Sequence, residues 1–172
     1  MLITIRQEHP ADFQSVYQIH KLAFGQESEA KLVDALRHSD AFIPELSLVA
    51  ELDNQLLGHI LFTKIKIVNK EKETESLALS PMAVRADFQK QGIGGQLIRE
   101  GLKRAAQFGF ESVIVLGHAG YYTKFGFEAT TKWNIRAPFD VPSEVFMGIE
   151  LIPHALKNVS GVVQYPKEFD AV

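Results

Sequence analysis

The chain of 172 residues contains no cysteine. That absence removes disulfide staples, thiolate zinc sites and a cysteine nucleophile together. Long apolar runs are missing as well, since none approaches the ~20 residues needed to cross a bilayer. The opening stretch, Met1-Leu2-Ile3-Thr4-Ile5-Arg6, has no basic segment leading into an apolar core, so no secretory signal is expected. Nor is there an excess of positive charge. The formal net charge is −3, which gives no support to nucleic-acid binding. With 46% hydrophobic residues, the chain is too apolar to stay disordered. It is also long enough to bury most of its apolar surface unaided. A cytoplasmic protein is expected, without membrane or nucleic-acid partners, as a monomer or homodimer.

What is present has a readable order. Residues 2–6 alternate as a first strand. Pro10 opens a helical stretch in which Phe13, Val16, Tyr17, His20 and Phe24 recur at three and four. A second helix follows Ser28, with Leu32, Val33 and Leu36 on its apolar face. Residues 46–52 and 57–68 read as an antiparallel hairpin around Asp53-Asn54-Gln55, and His59 on its second arm reads as a packed residue. Residues 76–84 form another strand, but it contains Pro81. A proline removes a ladder donor, so this strand must bulge or break there. Residues 92–108 make the clearest amphipathic helix, ended by Gly109. A continuously apolar strand at 113–116, a short helix at 121–125, and strand signals at 127–131 and 145–151 complete the pattern. Antiparallel strands followed by a strand–helix–strand crossover give an α/β domain with a mixed sheet.

The chemistry is expected where a strand meets the glycine-rich start of the long helix, Met82-Ala83-Val84-Arg85-Ala86-Asp87-Phe88-Gln89-Lys90-Gln91-Gly92-Ile93-Gly94-Gly95. The first turn of a helix has unpartnered N–H groups and a partial positive charge, which suits a phosphate. The plainer alternative is a tight turn that brings helix and sheet together. Two familiar phosphate motifs do not apply. A dinucleotide fingerprint needs glycine where Leu97 stands, and Gly-Lys-Ser/Thr occurs nowhere. What remains is Gln89-x-x-Gly92-x-Gly94.

This segment resembles the acetyl-CoA signature of the GNAT superfamily of N-acetyltransferases, Gln/Arg-x-x-Gly-x-Gly/Ala. About 30 residues on, one helix plus one strand away, Tyr122-Thr123-Lys124-Phe125-Gly126-Phe127 resembles the family's Tyr-x-x-x-Gly-Phe. Leu116-Gly117-His118, Val141-Pro142, Phe146-Met147, Glu150-Leu151 and Tyr165-Pro166 with Phe169 are similar to a branch of bacterial N-acetyltransferases. The resemblance implies a mixed sheet of about seven strands with helices on both faces and a splay between strands four and five. It implies one acetyltransferase domain over residues 1–172. The core with the cofactor site would occupy about 1–135, and a loop-rich cover, holding four of the seven prolines, about 136–172.

By the same resemblance, acetyl-CoA is the cosubstrate. Backbone N–H groups of Gln91, Gly92, Ile93, Gly94 and Gly95 would hold its pyrophosphate, with Gln89 and Lys90 flanking it. Met82, Ala83 and Val84 would pair with the pantetheine arm like an added strand. Residues 85–104 carry five basic and two acidic side chains, a local +3 that leaves −6 on the remainder. That asymmetry suits a polyanionic cosubstrate. A neutral amine attacks the thioester directly, since no cysteine can carry the acetyl group. The departing sulfur, with a thiol pKa of ~8.5, leaves better when protonated. Tyr122 is the motif-matched acid and Tyr121 its neighbour on the same turn. For the base, His118 and Glu75 are the candidates. The six histidines show no metal-ligand spacing, so no metal is expected.

The acceptor amine, of a small molecule or a protein, is expected between residues 24–30 and the C-terminal third. Glu27 and Glu29 there would attract a cation, or else simply favour a helix start. Trp133, Phe139 and Phe146 would wall a pocket or fill the core. An acetyl-CoA-binding module without turnover is the competing reading.

Overall fold

The computed structural model describes residues 2–171. Its strands are β1 (Thr4–Gln7), β2 (Phe42–Leu52), β3 (Gln55–Asn69), β4 (Lys72–Val84), β5 (Ser112–Leu116), β6 (Glu128–Ala129), β7 (Ile135–Arg136), β8 (Phe146–Glu150) and β9 (Gly161–Gln164). The helices are α1 (Phe13–Phe24), α2 (Ser28–Arg37), α3 (Ile93–Gln107) and α4 (Ala119–Tyr122).

Alternation along the central strands decides which face each helix covers. Leu48, Ala50, Ile60 and Phe62 point to one side, where they pack with Ile93, Leu97, Ile98 and Ala105 of α3. Val49 and Leu61 point to the other, where they meet Val16 and Ile19 of α1 and Leu32, Val33 and Leu36 of α2. A third apolar cluster, with Ile114, Phe146 and Val163, closes the end of the sheet reached by the C-terminal residues.

Seven strands lie in the order β1-β2-β3-β4-β5-β8-β6, matching the expected count, and two more join off that path in a nine-stranded sheet. The added pair is β7 and β9. Strand β2 stops pairing with β3 at Phe42, opposite Thr63, and β9 then takes over the edge of β3 from Lys66 to Val68. An edge that would stand open is thereby covered. Both strands are too short to give a period-two signal in sequence.

The irregularity expected at Pro81 is present. Ile60 faces Met82, and the next aligned pair is Phe62 with Leu79, so β4 carries an extra residue across Ser80 and Pro81. Strand β4 runs parallel to β5 only at Leu77–Val113 and Ala78–Ile114. Beyond Ala78 the two strands part, and the gap between them positions the site.

Candidate functional site

The bulge governs which backbone groups face the gap. Arg85 N–H donates to Leu57 O at 2.8 Å, marking Leu57 and Arg85 as a hydrogen-bonded pair. Alternation makes His59 and Ala83 the next such pair. The main-chain groups of Met82 and Val84 therefore point away from β3, into the gap. The Gln89 side-chain amide donates to Val84 O at 3.1 Å, folding the glycine loop back over the end of β4. Gln89 thus acts on the loop itself.

At the start of α3 the first ladder bond runs from Gln96 N–H to Gly92 O at 3.1 Å. The N–H groups of Ile93, Gly94 and Gly95 have no helical partner. Gly92 takes φ +83°, a left-handed turn that aims these groups outward, and a Cβ on it would meet only open space. A Cβ on Gly94 would lie 2.9 Å from the Tyr121 hydroxyl, so this cradle is narrow. It opens into a cleft shared by Met82, Val84, Gln89, Lys90, Tyr121 and Lys124. Open donors, a helix start and two lysines fit the diphosphate of a CoA thioester. Other basic residues nearby are engaged elsewhere. Arg85 pairs with Asp87 at 3.1 Å, Arg104 with Glu100 at 3.0 Å, and the Arg99 guanidinium lies 4.9 Å from the Phe125 ring centroid.

A second cavity of about 400 Å³ occupies the splay itself. Its lining includes Leu79, Ser80, Pro81 and Met82 of β4, Leu116 of β5, Tyr122 and Glu29. Phe24 and Met82 line both spaces, so the two adjoin at these residues. The adjacent tyrosines divide between them, Tyr121 to the loop side and Tyr122 to the splay. Burial, with a smaller contribution from Tyr121, pushes the Tyr122 hydroxyl up to about 12, so it holds its proton at neutral pH. The ring is fixed edge-on against Phe127, at 5.6 Å between centroids, and against Gly117.

His118 and Glu75 are not brought to this cavity. His118 is exposed and begins α4, where its carbonyl accepts from Tyr121 N–H and Tyr122 N–H, each at 3.1 Å. Glu75 is exposed opposite Lys66 and lines a separate cleft beyond the C-terminal strand. Of the three aromatic candidates, Phe139 lines the splay cavity, while Phe146 is buried in the third apolar cluster with Trp133 against it. Tyr165 and Phe169 also line the cavity, although neither lies in the glycine or tyrosine motif. Their signal was indirect, a Tyr-Pro and a phenylalanine in the proline-bearing tail. Lys124 stood inside the tyrosine motif without a role.

Residues 13–127 match the family described as Acetyltransferase (GNAT) family. The chain is 36% identical over 135 residues to a protein named uncharacterized N-acetyltransferase YjhQ of Escherichia coli strain K12, covering 78% of this chain and 75% of that one. A crystal structure of the GNAT family N-acetyltransferase YhbS from Escherichia coli in complex with CoA superposes with a TM-score of 0.90 at 30% identity, covering 98% of this chain and 92% of that one. A GNAT family acetyltransferase from Brucella melitensis, solved in complex with acetyl-CoA, gives 0.80 at 34% identity, with 98% and 99% covered. With the bulged and splayed strands, the glycine turn and the tyrosine turn all in one fold, the chain belongs to the GNAT acetyltransferase family.

Proposed function

We propose that this protein is an acetyl-CoA-dependent N-acetyltransferase that moves an acetyl group directly to an amine of a small molecule or protein, in the cytoplasm. The observation that carries the reading is the junction of the two spaces at Met82. A phosphate-compatible helix start lies on one side, and a cavity holding a protonated tyrosine lies on the other. Family relatives crystallised with CoA and acetyl-CoA support the same choice of cosubstrate.

In this reading acetyl-CoA supplies the acetyl thioester. The chain's own residues bind and orient it. N–H groups of residues 91–95 hold the diphosphate, with Lys90 and Lys124 beside them. The main chain of Met82 and Val84 takes the arm as an added strand, and Ala83 between them stays tied to β3. Gln89 keeps the loop closed over Val84. An N–H facing the splay is placed to meet a developing oxyanion. Tyr122 holds the proton that the leaving sulfur needs. His118 and Glu75 sit on the solvent side, so any proton they take from the amine travels through water.

The test is thiol release from acetyl-CoA with a panel of amines, run beside an acetyl-CoA binding measurement. Tyr122→Phe keeps the ring and removes the proton. Its kcat should fall about 100-fold or more, while acetyl-CoA affinity stays within about twofold. An unchanged kcat would remove Tyr122 as the acid. Tight acetyl-CoA binding with no turnover on any amine would turn the reading toward a non-catalytic binding module.

A further inference from the structure

The splay cavity has a lopsided chemistry. Its walls include Phe24, Leu79, Leu116, Phe139, Tyr165 and Phe169. Phe139 and Tyr165 are stacked with their planes 21° apart, and Phe169 leans on Tyr165 at 5.0 Å. Among the described residues that line it, one is of a charged type, and it is Glu29. No lysine or arginine is among them. The remaining polar side chains are Ser80 and the two tyrosines, Tyr122 and Tyr165.

Glu29 stands two residues from Glu27, and the two carboxylates are spent differently. Glu27 accepts from Tyr17 Oη at 3.0 Å and pairs with Lys21 at 3.1 Å and Lys31 at 3.5 Å. Its charge is neutralised within α1 and α2. Among the described residues, Glu29 is held by the neutral side-chain amide of Gln26, at 3.0 and 3.2 Å, and by no other side chain. Glu29 is half-buried as a residue while its carboxylate stays open at the edge of an apolar cavity, and with no cation against it among the described residues it is a partner for a cationic ligand group.

We infer that the acceptor is a primary amine joined by a short link to an aromatic or similarly flat apolar body. Its ammonium sits at Glu29 and its apolar body against Phe139 and Tyr165. This rests on the acetyltransferase reading and narrows it. The cavity of about 400 Å³ must also admit the acetyl thioester beside Tyr122, so the room left for the acceptor is that of a small molecule. The hydroxyls of an aminosugar would lose water against walls that return few hydrogen bonds. An amino acid would bring its carboxylate toward Glu29 with no cation to offset it. The second ammonium of a polyamine would meet hydrocarbon. The bound ammonium first releases one proton to water, and the neutral amine nitrogen then bonds the acetyl carbon and gives up a second proton, which balances the one the sulfur carries away. The carbon–sulfur bond breaks, and the sulfur leaves with a proton as the free thiol. No oxidant or reductant is needed.

The experiment uses the full chain and 2-phenylethylamine, set against glucosamine, lysine, spermidine and a short peptide with a free N-terminus. Acetylation is read by thiol release and product mass. Amine binding is read separately, without acetyl-CoA, from tyrosine fluorescence. The arylalkylamine should give kcat/KM at least about tenfold above each competitor. Glu29→Gln should raise its KM and its Kd about tenfold, with acetyl-CoA affinity unchanged, the size expected for a lost charge-assisted contact. Phe139→Ala should raise KM by a similar factor. If glucosamine or the peptide is acetylated and 2-phenylethylamine is neither bound nor acetylated, the inference falls while the acetyltransferase reading stands. If 2-phenylethylamine binds in a Glu29-dependent way and no amine is acetylated, the acetyltransferase reading falls and the ligand class stands. A KM unmoved by Glu29→Gln would also overturn the inference.

Discussion

Tyr122 is held in place by what Gly117 lacks. A Cβ built on Gly117 would overlap the ring edge of Tyr122, and rigid aromatic carbons cannot swing aside as a long aliphatic side chain can. Gly117 has no positive φ, so an alanine there is acceptable to the backbone and the conflict is purely steric. Gly117→Ala should therefore displace the tyrosine that lines the splay. We expect kcat to fall about tenfold or more with acetyl-CoA affinity retained, and unfolding free energy to fall by about 1–3 kcal/mol. Urea unfolding and steady-state kinetics on one preparation measure both. A variant with unaltered kcat would mean that the ring's position does not matter. Tyr122 was legible in the sequence because its motif is contiguous. Pro81 was legible because a missing N–H has one structural meaning wherever it falls in a strand. Gly117 was not, because its neighbour is a side chain folded back over it by the α4 turn. Glu27 and Glu29 were indistinguishable as letters, and only their partners separate them.

At the level of elements, the long pieces were readable and the short ones were not. Helix α3 buries one face over many residues, so its period shows, and the β2–β3 hairpin is marked by two long apolar arms around Asp53-Asn54, although its centre is buried on both faces. Strand β9 has four residues, Gly161–Gln164, and is defined only by its pairing with β3 and β7. Yet β9 positions the aromatic wall of the splay cavity, because Tyr165 follows it directly and Phe169 lies in the turn beyond. Gly161 is its anchor. Its φ is +130°, and a Cβ there would run into the Val68 carbonyl, a backbone group that cannot rotate away. Gly161→Ala should cost about 2–4 kcal/mol and release β9 from the β3 edge. Amide exchange at Val162 and Val163 should speed up, and amine KM should rise with acetyl-CoA affinity held. Exchange rates equal to those of the parent chain would show that β9 is fixed by something else. The same reasoning explains why the tail reads as a cover in sequence while its aromatic wall does not. The prolines are local signals, and the stacking of Phe139 on Tyr165 joins segments far apart in the chain.

Across the whole molecule, one buried polar chain ties α1 and α2 to the sheet. His20 Nε2 meets His59 Nδ1 at 2.8 Å, and His59 Nε2 meets Ser47 Oγ at 2.8 Å. Ser47 Oγ donates to Glu8 at 2.8 Å, and Arg37 closes the other Glu8 oxygen at 2.6 Å. Both histidines are fully buried, and His20 Nδ1 has no partner among the described residues. Sequence spacing placed His20 and His59 on apolar faces, but only the fold brings residues 39 positions apart into contact. Burial is the main force on their protonation. It lowers His20 to about 4, helped by Arg37, and holds His59 well below its ordinary value, with His20 and Arg37 adding to the effect. The Glu8 carboxylate, 3.8 Å from His59 Nε2, pulls the other way and does not prevail. The consequence for stability has a definite sign. Above the unfolded value of ~6.5 neither state is charged at these rings, and stability is complete. Between ~6.5 and about 4 the unfolded chain takes up protons that the folded chain refuses, so unfolding becomes easier as pH falls. For His20 alone the loss by pH 4 is about 3 kcal/mol, and His59 adds to it in the same direction. Urea unfolding from pH 7.5 to 4.5 should show a steady fall in stability that begins near 6.5, before most carboxylates titrate. His20→Gln keeps a hydrogen-bonding group toward His59 and removes one titrating ring. Its stability at pH 7.5 is free to differ, but its decline between pH 6.5 and 5 should be shallower. A variant whose stability falls as steeply as that of the parent would show that the buried pair does not set the acid limit of the fold.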